Sequence, residues 1–174
     1  MNSKLVFACA LLLASPAMAQ SMGEKSGVNS VLGVSPTTPD FVKEAAMSDM
    51  YEIASSKLAL QKADQPTNEF ATQMVADHTK TSTELKAATA GLPDAPVPAA
   101  LDSSHQDKLA SLAKLNGADF TKEYHSEQVG AHKDAVSLFE RYAKSGDNPK
   151  LKSWAETTLP TLRHHLEMAQ TLDK

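Results

Sequence analysis

Glu52, His78, His132 and His165 lie far apart in the chain, yet each falls among apolar residues at helical spacing. A buried ionisable side chain is costly unless it is paired, neutralised or bound to a cation. Four such residues meeting at one point would share that cost. A carboxylate with two or three neutral imidazoles is a ligand set for a divalent metal such as zinc, iron or manganese, and also suits copper. The same residues also fit a metal-free His-carboxylate network that fixes helix register. His125, Asp49 and Asp77 are further candidates on the same faces.

Other chemistries find less support. No glutamate is followed by a histidine three positions later, so the paired ligand motif of di-iron carboxylate bundles is missing. There is no nucleophile elbow, no glycine-rich phosphate loop and no His-Glu-x-x-His run. The reading therefore leans away from an enzyme, with a metal-dependent oxidoreductase as the catalytic alternative. His164 and His165 are adjacent and point about 100° apart on a helix, so they cannot chelate together.

The elements that must position these residues are helices. Aromatic residues make up only 5 % of the chain, and Ala, Leu, Lys and Glu dominate, which favours an all-α fold. The first helix is expected from Asp40 as cap to about Ala63. Gln65-Pro66-Thr67 opens a second, which ends near Gly91. Leu92 to Ala100 contains three prolines and is expected to run extended, covering nearly 30 Å at about 3.1 Å per residue. A minor helix from Asp102 to Leu115 follows. A third long helix is expected from Asp119 to about Lys144, and a fourth from Pro149 to about Leu172 with Pro160 inside it.

On the third helix Phe120, Tyr124, His125, His132, Val136 and Phe139 share one half of the wheel, with Glu127 at its edge. On the fourth, Trp154, Thr158, Leu162 and Leu166 make a stripe that includes His165 and excludes His164. On the second, His78 lands among Phe70, Met74 and Leu85, with Asp77 at the margin, placed to orient the imidazole. On the first, Asp49 and Glu52 point inward beside Phe41 and Ala59. At about 1.5 Å per residue, Glu52, His78 and His132 fall near one level, while His165 sits further from its turn and needs a register shift at Pro160.

The two hairpins resemble one another. Asp40-Phe41-Val42-Lys43-Glu44 opens the first as Asp119-Phe120-Thr121-Lys122-Glu123 opens the second, and this alignment pairs Glu52 with Ala131. Duplicated hairpins joined by a long crossover describe a ferritin-like four-helix bundle.

Met1 to Ala19 reads as a signal peptide: Lys4, an apolar run from Leu5 to Ala14, then Ala17-Met18-Ala19 before the cut. Cys9, the only cysteine, is lost with it, and there is no convincing lipobox. An exported, periplasmic protein without disulfide or transmembrane segment is expected. The net charge of −4 becomes one unit more negative without Lys4, which argues against nucleic acid as a partner. Gln20 to Pro39 has no period and is expected to be a flexible arm, open to an envelope protein partner, ahead of a bundle domain over residues 40–174.

Phe41-Val42-Lys43-Glu44-Ala45-Ala46, Met74-Val75-Ala76-Asp77-His78-Thr79-Lys80 and Leu159-Pro160-Thr161-Leu162-Arg163-His164-His165-Leu166 resemble a large bacterial family of exported proteins. It is designated domain of unknown function 4142 (DUF4142) and often called "predicted outer membrane protein". The resemblance spans about Pro39 to Leu172 and implies a ferritin-like bundle in the cell envelope, with no established reaction. In this family the third helix often repeats Met-Val-x-Asp-His. Here it reads Gln128-Val129-Gly130-Ala131-His132, so the histidine is kept and the carboxylate is replaced by Ala131, leaving a lopsided site.

Overall fold

The computed structural model describes Met22 and residues 28–174; the expected signal peptide and the first part of the expected arm lie outside them. Six helices, and no strand, are found among the described residues: α1 (Val28–Leu32), α2 (Thr38–Lys62), α3 (Gln65–Thr89), α4 (Ser103–Lys114), α5 (Gly117–Ser145) and α6 (Pro149–Leu172). The protein is all-α. No described helix is long and apolar enough to cross a membrane.

The helix limits follow from local chemistry. Asp40 does not cap α2. Thr37 does, its hydroxyl accepting from the Asp40 amide and donating to the Asp40 carboxylate, so Asp40 sits one turn in, where its charge suits the helix dipole. Asp64 caps α3, Asp102 caps α4 and Asn148 caps α6. Gly146 closes α5 against the Tyr142 ring: a Cβ there would lie 2.6 Å from Tyr142 Cε1 and from its carbonyl oxygen, so no side chain fits.

The four long helices form a ring in which α2 packs on α3 and α5, and α6 packs on α3 and α5. Two core clusters give their directions. One gathers Phe41 and Val42 from the start of α2, Leu85 from late α3, Phe139 and Tyr142 from late α5, and Leu151 from the start of α6. The other gathers Ala59, Phe70, Met74, Phe120, Tyr124 and Ala169 from the opposite ends of the same helices. Every neighbouring pair is therefore antiparallel, and the chain between α3 and α5 travels the length of the assembly. The proline segment covers only part of that distance, because a turn closes from Leu92 to Ala95; α4 covers the rest. Lys62 Nζ ties the end of α4 to α2 through the carbonyls of Ala113 and Leu115, at 2.6 and 2.8 Å.

Within the stretch expected as an arm, α1 packs on α5. Ser30 Oγ meets Ser137 Oγ at 2.9 Å, and Arg141 donates to the Val34 carbonyl at 2.7 Å. Thr38 and Pro39 already belong to α2.

Candidate metal centre

Between the two apolar clusters lies a polar layer. His78 on α3, His132 on α5 and His165 on α6 are each about 1 % exposed, and their ring centroids stand 5.4–5.6 Å apart. One ring nitrogen from each lies within 4.8 Å of the others. His165 thus reaches the same level as His78 and His132. Counting rise from the turns ignores the stagger of the helices and the reach of the side chains.

Each imidazole is oriented through one nitrogen. His78 Nδ1 bonds Asp49 Oδ1 at 2.8 Å, and that carboxylate also accepts from Thr81 at 2.8 Å and Ser82 at 3.1 Å. His165 Nε2 bonds Asp77 Oδ2 at 2.9 Å, and His132 Nδ1 bonds the Gln128 carbonyl at 2.9 Å. Carboxylate and carbonyl oxygens only accept, so these nitrogens carry the protons. In the neutral rings the remaining nitrogens, His78 Nε2, His132 Nε2 and His165 Nδ1, hold lone pairs, and none has a hydrogen-bond partner. Glu52 adds two more acceptors without a partner. It is about 1 % exposed on α2 beside this layer, but outside the group of three within 4.8 Å.

The electrostatics agree with that tautomer pattern for His132 and His165. Burial pushes His132 down to about 4, helped by the charge of His78. Burial likewise pushes His165 to about 4, although its bond to Asp77 pulls the other way. Both rings are neutral near pH 7, as a ligand must be. Burial also lowers His78, but the hydrogen bond to Asp49 and the charges of Glu52, Asp49 and Asp77 outweigh it and leave it raised. Burial raises Glu52, against the pull of His78. His132 and His165 thus offer lone pairs as they stand, while the proton favoured on His78 beside Glu52 is what an arriving cation would displace.

The other candidates have separate places. Asp49 and Asp77 position imidazoles, though Asp77 orients His165 across the bundle and leaves its own neighbour His78 to Asp49. His125 bonds Thr67 at 2.8 Å near the far end, away from the three rings. Glu127 accepts from the Tyr51 hydroxyl, a pairing between α2 and α5 that the wheel of either helix alone does not reveal. His105 folds back on Asp102, its helix cap, at 2.7 Å.

No curated protein matches this chain. Two solved structures are similar in fold. CopM in the Cu(II)-bound form has a TM-score of 0.67 at 18 % identity, covering 80 % of this chain and 97 % of that one. CopM in the Cu(I)-bound form has a TM-score of 0.63 at 19 % identity, covering 78 % and 94 %. The family described as Domain of unknown function (DUF4142) matches residues 23–172, and the chain belongs to it.

Proposed function

We propose that this DUF4142 member is an exported, ferritin-like bundle protein that holds one transition metal ion on His78, His132 and His165 and serves in metal handling in the cell envelope. The observation that carries the reading is the convergence of three buried imidazoles, with one ring nitrogen of each within 4.8 Å of the others and each ring fixed by a carboxylate or carbonyl. Such backing sets the tautomer and raises ligand basicity in protein metal sites. A metal-free network would be expected to satisfy these nitrogens, and it leaves all three unbonded.

Copper is the first candidate. Imidazole suits copper, zinc and iron, copper binds most tightly of the divalent series, and the similar CopM structures are copper-bound. Zinc or iron would use the same ligands; manganese, which prefers oxygen, suits them least. The antiparallel ring with a connector running its length supports the ferritin-like description. Burial of all three rings suits retention of an ion more than turnover of a substrate.

The test is metal analysis of untagged protein from the periplasm, with equilibrium titrations of Cu(II), Cu(I) and Zn(II). One ion per chain is expected, with affinity lowered at least ~100-fold in His132→Gln. A wild-type chain that takes up no ion, and whose unfolding temperature does not move with added copper or zinc, would overturn the proposal.

A further inference from the structure

Residues of α2, α4 and α5 line a groove of about 630 Å³ that includes Glu52 and none of the three imidazoles. Besides Glu52 its acidic residues are Glu44, Glu123, Glu127 and Asp134, with Lys108 and Arg141 as its cations. We propose that this groove is the port through which a hydrated divalent cation reaches the three-histidine site, with Glu52 as the transfer ligand between them; the inference rests on the metal-binding reading above.

Glu52 is the residue that joins the two spaces. It lines the groove, is about 1 % exposed, has no hydrogen-bond partner on either oxygen, and its charge acts on His78. A carboxylate in that position exchanges water for itself on an arriving cation and then yields it to imidazoles, which hold borderline metals better than a single oxygen does. The other carboxylates raise the local cation concentration, as charge-lined clefts do. Lys108 lies 4.0 Å from Glu127 and 4.9 Å from the centre of the Tyr51 ring, so it is engaged at the rim beside α4.

A second feature of the groove is Gly130, which is exposed to solvent. It lies within the 29-residue helix α5, where glycine is less favourable than alanine. No packing requires it there: a Cβ would meet nothing within 4 Å, and its φ is not positive. It does line the groove, as does Ala131, the residue that the hairpin alignment pairs with Glu52.

The experiment follows Cu(II) uptake by the full chain in stopped flow, with Zn(II) as a redox-silent second probe. Glu52→Gln and Gly130→Phe should each slow loading at least ~10-fold, while one ion per chain is still bound at equilibrium; Gly130→Ala should slow it less. Glu156→Gln, exposed on α6 outside the groove, should load at the wild-type rate. Circular dichroism checks folding of Gly130→Phe, and the nearly isosteric Glu52→Gln carries the test if that variant is not native. Equal loading rates in wild type and Glu52→Gln would overturn the port while leaving the three-histidine site standing. A wild type that binds neither ion would overturn the metal-binding reading, and the port with it.

Discussion

At the start of α2, Phe41 stacks on Tyr142 with ring centroids 3.9 Å apart and meets Phe139 and Trp154 edge-on, fully buried. Midway along the same helix, Glu52 is as deeply buried and has no hydrogen-bond partner on its carboxylate. The apolar clusters at the two ends hold the bundle together, and the layer between them buries polar atoms without partners, which costs stability. The contrast teaches that one helix can serve opposite demands a few turns apart, provided the satisfied ends outweigh the unsatisfied middle.

The contrast can be broken most forcefully at the end. Phe41→Ala should cost about 3–5 kcal/mol in denaturant unfolding, by lost burial and cavity formation. Metal affinity of the folded fraction should not change; a loss there would mean that end and middle are not separable. The middle has its own signature in pH. His132 is held to about 4 in the folded chain against 6.5 when unfolded, so its contribution is fully present above pH 6.5 and is lost as pH falls toward about 4. Over that window the metal-free wild type should lose roughly 2–3 kcal/mol more than His132→Gln. Parallel pH curves would show that the ring is not held neutral.

A smaller effect tests the support behind the rings. Asp77→Asn should weaken metal binding about 10–100-fold, since an amide orients His165 without the same gain in basicity. Unchanged affinity would reduce Asp77 to a spectator. Smallest of all, Gly130→Ala should stabilise the fold by about 0.5–1 kcal/mol in thermal or chemical unfolding. Stability falling instead would show that α5 needs the glycine for packing.

Rotation about a helix axis is a local property, and it was legible in the sequence: the stripes placed His78, His132, His165, Asp49 and Glu52 inward, and all are buried. The prolines, aspartates and glycines likewise marked the helix ends to within a few residues. Pairing across helices was not legible, because it depends on stagger and on which neighbour packs where. Asp77 was expected to serve His78 one residue away, but adjacent helical residues diverge, and the carboxylate reaches His165 instead. His125 shares the face of His132 yet lies two turns away, at the level of Thr67. The height estimate set His165 apart unless Pro160 shifted the register; His165 does meet His78 and His132, a meeting that stagger and side-chain reach also decide. Which residues turn inward is written locally; which of them meet is decided by the assembled bundle.

His78 comes from the first hairpin, and His132 and His165 from the second. Between the hairpins run the proline segment and α4, a tether long enough to let them drift apart if their contacts loosen. An ion gripped by one imidazole from one hairpin and two from the other would therefore act as a clasp, resisting separation of the halves under force or during refolding. Cargo and fastener would be the same atom, and releasing the one would unfasten the other.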